Sequence, residues 1–368
     1  MTAPPAAVEL VEVRLPLVRA FRTSFGTQLD KEAVLVRAIG EDGLEGWGEC
    51  ASAGTPAYSE EWNDGAWLLL RDHLIPAALR GKAASVKGHH MARTALEVAL
   101  LDLHLRREGV SLREHLGGVR DRIECGVSVG IEERTDELLE MVARHVDEGY
   151  RRIKLKIEPG ADLEPTRAVR EAFPDTPLSV DANAAYRPED ADHLAELDAL
   201  DLDYLEQPLA RDRLLAHADL QRSMRTPVCL DETLTSPAVT EEAVRLGACR
   251  VVNLKVGRVG GVAAARRIHD LVVEHGVGMW CGGMLETGVG RAVNVALASM
   301  PGFTMPGDTS PSSRYFERDI TEPFVMDADG TMAVPDGPGI GVTPIPEVLA
   351  ETALRRETVR PAAPRRGA

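Results

Sequence analysis

The chain has 368 residues, with 58 acidic against 42 basic side chains and a formal net charge of −16. That length suits one large barrel with additions or two domains, and the excess of acid argues against nucleic acid or an anionic membrane as partner. Five scattered cysteines without a CxxC pair (Cys50, Cys125, Cys229, Cys249 and Cys281) fit reduced thiols in the cytoplasm. No signal peptide and no membrane span are expected, because basic leaders and apolar runs of about 20 residues are both missing.

Residues 7–50 alternate like strands, over Val8–Leu15, Ala33–Ala38 and Gly46–Cys50. Between the first two lies Phe21–Thr27, expected as a polar loop whose two aromatics, Phe21 and Phe25, wall a mobile lid. From about 60 to 116 the pattern turns helical, with small and apolar residues at i, i+3, i+4 from Met91 onward. Strands followed by helices predict an α+β capping domain over residues 1–120.

From Arg122 the rhythm becomes strict βα alternation. Strands are predicted at 123–129, 152–157, 177–181, 203–206, 227–231, 250–255, 278–281 and 303–307. Helices are predicted near 135–148, 162–172, 188–199, 212–223, 237–246, 259–275 and 288–299. The fold class is therefore α/β, a (β/α)7β TIM-like barrel over residues 121–320. Residues 321–368 are irregular, return to the capping domain and end in a disordered tail, PAAPRRGA.

Three acids sit at one interval of 25 residues: Asp181, Glu206 and Asp231. Each closes a short apolar run, so each lies at the carboxyl end of a successive strand, where a parallel barrel gathers its active groups. A lone acid there is more often a helix cap or a salt-bridge partner. Three converging carboxylates repel one another unless a cation sits between them, and all-oxygen ligands favour Mg²⁺ or Mn²⁺. One strand earlier, Arg152-Ile-Lys-Leu-Lys places Lys154 and Lys156 on one face. One strand later comes Lys255, followed by Val-Gly-Arg-Val-Gly-Gly, read as a tight turn into a helix. A substrate held among the acids would meet a lysine on each side. Lys154 and the metal are expected to lower the pKa of Lys156 towards a base's working range. Trp280 is expected in the barrel mouth, and the adjacent His89 and His90 as a surface or capping pair.

FRTSFGT, GWGEC, KLKIEPG, DANAAY, EQPL, LDET, NLKVGRVGG and WCGGMLETGVGRAVNVALAS together resemble the enolase superfamily. Within its muconate-lactonising subgroup they resemble the o-succinylbenzoate synthase / N-acylamino acid racemase family, over nearly the whole chain. The resemblance implies Asp181, Glu206 and Asp231 as Mg²⁺ ligands, Lys156 and Lys255 as bases, and Lys154 on the substrate carboxylate. It implies Asn183 and Glu232 beside the ligands, and substrate contacts from Phe21, Phe25, Ser128, Gly283 and Met284. A small carboxylate substrate and a homo-oligomer, dimer or octamer, are the expected partners.

The reaction expected is α-proton abstraction through an enediolate, as synthase, racemase or both. Dipeptide epimerase and cycloisomerase are the nearest alternatives. Epimerases carry Asp-x-Asp after strand eight, whereas this chain reads Asp308-Thr-Ser, so an N-acylated amino acid fits better than a free amino terminus. A Schiff-base aldolase, using Lys156 or Lys255 as nucleophile, and a non-catalytic barrel stand as different classes. The acid series argues against the first and the complete set of residues against the second.

Overall fold

The computed structural model describes residues 4–361 except 24, 25 and 58. β1 (Ala7–Thr23), β2 (Gly26–Ile39) and β3 (Glu45–Cys50) form an antiparallel sheet, in which Val8, Leu10, Val34 and Val36 bury one face. Against that face pack α1 (Asn63–Leu69) and the long α2 (His90–Glu108), through Trp67, Met91, Ala95 and Leu103. The Gly-x-Gly of β3 has a steric cause. A Cβ on Gly48 would stand 2.1 Å from the Ala95 carbonyl oxygen, and one on Gly46 2.1 Å from that of Ala99, so the strand lies directly on the helix backbone.

The segment expected as a polar loop is instead the tip of a long hairpin. β1 and β2 stay paired past Phe21↔Gln28 to Thr23↔Gly26. Phe25 lies outside the described residues.

The second unit is a parallel sheet of β4 (Gly126–Val129), β5 (Arg152–Lys156), β6 (Leu178–Asp181), β7 (Leu205–Glu206), β8 (Val228–Leu230), β9 (Val251–Leu254) and β10 (Gly278–Cys281), in sequential order. The predicted strand 123–129 divides at Cys125. Arg122–Glu124 pairs with Thr331–Ala333, and only Gly126–Val129 enters the barrel. The predicted eighth strand is reduced to a bridge at Gly307. Thr304 N and Asp308 N donate to Met279 O and Cys281 O on β10, and Gly307 O accepts from Gly126 N on β4, which closes the barrel.

Helices cover the sheet: α3 (Thr135–Asp147), α4 (Leu163–Ala172), α5 (Leu214–Ser223), α6 (Pro237–Leu246), α7 (Val262–Glu274) and α8 (Gly288–Ala298). The predicted helix 188–199 is broken into two 3-10 turns around a five-residue helix, Ala191–Ala195. Its aspartates, Asp190, Asp192 and Asp198, are poor helix formers.

Beyond residue 320 the chain wraps the capping helix. The buried Asp102 carboxylate accepts from Trp47 N (2.8 Å) and Ile340 N (2.7 Å), fastening β3 and the Gly/Pro-rich segment to α2. β11 (Ala353–Val359) then adds to the capping sheet beside β1. The described tail ends at 361, so most of PAAPRRGA lies outside the described residues. All five cysteines are buried free thiols. Among the described residues no helix is long and apolar enough to cross a membrane.

Candidate active site

The carboxyl ends of β5 to β9 carry the charged residues. Lys156, Asp181 and Glu206 are aligned in register across β5, β6 and β7. Asp231 and Lys255 follow directly on β8 and β9. The three acids and Lys154 are at most 2% exposed and Lys255 is 7% exposed.

Each lysine meets acid. Lys156 Nζ is 2.6 Å from both Asp181 Oδ2 and Asn183 Oδ1. Lys154 Nζ is 2.6 Å from Glu206 Oε2 and 2.7 Å from Asp308 Oδ2. Lys255 Nζ is 2.9 Å from Asp231 Oδ2, whose other oxygen accepts from Arg258. Among the described residues no three acids are drawn together into a ready metal-ligand group; these cations take the carboxylate oxygens instead.

The electrostatics follow from burial and crowding. Burial, with the charges of Asp181 and Asp231, pushes Glu206 up to about 7 against the pull of Lys154. Burial also disfavours the Lys154 ammonium, but Asp308, Glu206 and Asp181 together lift it well above its ordinary value. Lys255 rises likewise, because Asp231, Glu206 and Glu232 outweigh its burial. Asp308 is held well below the carboxylate range by Lys154 and Arg152, in spite of burial. The charge of Lys154 is offset by Glu206 and Asp308, which it touches, and by Asp181 at 3.5 Å.

The partners of the acids hold them in place. Asn183 donates from its backbone N to Asp181 (2.9 Å) and from Nδ2 to Glu232 Oε1 (3.0 Å). Asn253 donates to Glu206 Oε1 at 2.7 Å. Gln207 Oε1 accepts from Asp231 N and Thr233 N. Among the described residues Glu232 Oε2 is buried with no hydrogen-bond partner. Backbone strain gathers here too: Asn183, Ala184, Gln207 and Leu285 all have positive φ.

Part of this cluster opens into a cavity of about 510 Å³ between the barrel and the capping domain. Phe21, Ser128, Gly283 and Met284 line it, with Lys154, Lys156, Asp181, Asn183 and Lys255. Trp280 is not at the mouth. It is fully buried in the barrel interior, stacked on Tyr204 at 5.7 Å, with Lys154 Nζ 4.6 Å from its ring centre. His90 joins the domains, its Nδ1 2.8 Å from Arg258 O.

Sequence reasoning passed over Arg152, Asp308, Asn253, Arg258, Lys31 and Glu49. Two had a readable signal: Arg152 shares the face of Lys154 and Lys156, and Asn253 that of Lys255. The capping residues Lys31 and Glu49 had none, since their role depends on how the domains meet. Lys31 Nζ donates to Ala51 O and Met284 O. Glu49 accepts from Thr287 and from Gly290 N. A Cβ on Gly290 would sit 2.9 Å from Glu49 Oε2, so that approach needs glycine.

Residues 6–117 match the family model of the mandelate racemase / muconate lactonizing enzyme N-terminal domain, and residues 137–348 that of the enolase C-terminal domain-like family. The chain belongs to the enolase superfamily. It is 54% identical to an N-succinylamino acid racemase from an Amycolatopsis species, covering 94% of this chain and 96% of that protein. It is 47% identical to an o-succinylbenzoate synthase from Geobacillus stearothermophilus, covering 91% and 92%. A crystal structure of an enolase-superfamily member from Listeria innocua superposes with a TM-score of 0.93 at 38% identity, covering 97% of this chain and 99% of the other. Within the superfamily the chain is thus an enzyme of the o-succinylbenzoate synthase and N-succinylamino acid racemase family.

Proposed function

We propose that this enzyme removes the α-proton of a carboxylate substrate and either returns it to the opposite face, as an N-acylamino acid racemase, or completes a dehydration, as an o-succinylbenzoate synthase. The observation that carries this reading is the lysine-acid-acid-acid-lysine order along five neighbouring strands of one sheet, whose Lys156, Asp181 and Lys255 line one cavity.

Asp181, Glu206 and Asp231 are the proposed ligands of Mg²⁺. The donor set fits a hard divalent cation: three buried carboxylates on adjacent strand ends, with Glu206 raised by burial and then by its acidic neighbours. When bound, Mg²⁺ offsets the second negative charge that develops on the substrate carboxylate as the α-proton leaves.

The chain's own residues do the rest. Lys154 orients the substrate carboxylate. Lys156 takes the α-proton from one face, while Asn183 fixes the direction of its ammonium. Lys255 returns a proton to the other face; in dehydration it stands as a cation beside the developing charge, while Lys156 gives the proton it took to the departing hydroxyl, which leaves as water. Racemisation and dehydration share the first step, so one site serves both. Asp308, the acid that could meet a substrate ammonium, is engaged by Arg152 and Lys154. That favours an acylated amino group over a free one.

The test is turnover of an N-succinylamino acid, followed by polarimetry, and of the o-succinylbenzoate precursor, followed by absorbance, before and after exhaustive chelation. Activity that persists without divalent cation would refute the mechanism.

A further inference from the structure

Four lysines line the cavity: Lys31, Lys154, Lys156 and Lys255. The three from the barrel each touch a carboxylate. Lys31 comes from capping strand β2 and differs from them. It is 2% exposed, and its Nζ donates to two neutral acceptors, Ala51 O at 3.4 Å and Met284 O at 3.1 Å. Among the described residues it makes no ion pair.

The acids near it are engaged elsewhere. Glu49 accepts from Thr287 and Gly290. Glu32 pairs with Arg14. Glu61 caps the start of α2 through Met91 N and Ala92 N. The charge of Glu49 reaches Lys31 but no carboxylate touches it, so a buried ammonium rests on two neutral carbonyls, and among the described residues its third N–H is uncommitted. Its position also matters. Ala51 follows the capping strand β3 and Met284 belongs to the barrel loop after β10, so Lys31 stands at the seam between the domains.

We propose that Lys31 binds a second carboxylate of the substrate, the one carried by its acyl group. The site would then select dianionic N-acyl amino acids with an ω-carboxylate over those with neutral acyl groups. This rests on the reading that the α-carboxylate is held at the lysine and acid cluster. A carboxylate on Lys31 would complete the ammonium with a charge-assisted hydrogen bond. A cavity of about 510 Å³ has room for both ends of such a ligand.

The experiment compares N-succinyl and N-acetyl forms of one amino acid, by calorimetric binding and by turnover, in the wild type and in Lys31→Met. The wild type should prefer the succinyl form. Lys31→Met should weaken succinyl binding about 10- to 100-fold, as expected for a lost charged hydrogen bond, while the acetyl form changes less than about 3-fold. Lys31→Gln, which can still donate to the two carbonyls, gives the same comparison where the Met variant does not fold. Equal losses for both ligands would reduce Lys31 to a brace of the 284–287 wall and overturn the proposal, as would a wild type without preference. A wild type that binds with the expected preference but turns over neither ligand would refute the reaction and leave the anchor standing.

Discussion

The Glu49 carboxylate, in the last turn of strand pairing before Cys50, accepts a 2.7 Å hydrogen bond from the hydroxyl of Thr287, the cap of barrel helix α8. Thr287 N and Gly290 N donate to the same carboxylate. An acid from one domain thus satisfies the first turn of a helix in the other, where a negative charge is favoured by the helix dipole. Residues 284–287 lead into that helix, and Met284 and Leu285 line the cavity. The wall of the cavity is therefore held by the capping domain.

Glu49 should make the stability of the enzyme depend on pH. Burial, and then the charge of Glu286, raise it to about 7 from an ordinary 4.5, against Lys31 and its hydrogen bonds. The folded state then holds a proton that the unfolded chain has released. Stability from this group is complete below about pH 4.5 and is lost as pH rises through 7, by about 3 to 4 kcal/mol at most. Thermal denaturation of Glu49→Gln and wild type across pH 4.5–8 checks this. Relative to the variant, the wild type should lose stability with rising pH, and a flat difference would remove Glu49 as the cause.

Gly48→Ala should damage the capping domain. The new methyl would meet the backbone oxygen of Ala95, which cannot rotate away as a side chain could. We expect a loss of about 1–3 kcal/mol or more in urea denaturation. Unchanged stability would show that β3 can lift from α2 without cost.

Lys156→Ala should lower turnover by roughly 10²–10⁴-fold or more while the fold is kept, since the proposed base is lost. Lys255→Ala should block net racemisation yet leave α-proton exchange in D₂O for the enantiomer served by Lys156. Lys156→Ala should show the converse preference. Proton NMR of each enantiomer with each variant decides the matter; equal exchange of both enantiomers by either variant would mean that one lysine reaches both faces.

Asp181→Asn, Glu206→Gln and Asp231→Asn should each weaken Mg²⁺ binding and turnover together, because each removes an anionic ligand from the proposed hard-cation site. Calorimetric titration with Mg²⁺ alone measures the first effect. Unaltered affinity in all three variants would exclude these residues as the metal site.

The barrel was readable because its repeat is local. Each strand announces itself by an apolar run, and Asp181, Glu206 and Asp231 mark three strand ends at one interval. Lys154 and Lys156 followed from alternation, as Arg152 could have. What stayed hidden depends on partners distant in sequence. The strand predicted at 303–307 keeps only the bridge at Gly307, because its backbone groups divide between β10 and β4. Asp308 looked like a remnant of a motif, and only the closed barrel brings it to Lys154. The hairpin tip at Phe21 read as a loop because its residues are polar, although the pairing of β1 and β2 carries through it.

The pairing of β11 with β1 has a consequence for how the protein is made. β1 runs for 17 residues with β2 on one side, and β11 covers much of the other, from Val8↔Val359 to Val13↔Ala353. β1 therefore waits for a strand that is made only after the whole barrel. Until residue 359 has been synthesised, β1 presents an uncovered edge of backbone donors and acceptors, the kind of surface through which nascent chains pair with one another. A ribosome that stops before Ala353 releases a chain whose barrel strands are all present and whose first sheet is open to aggregation.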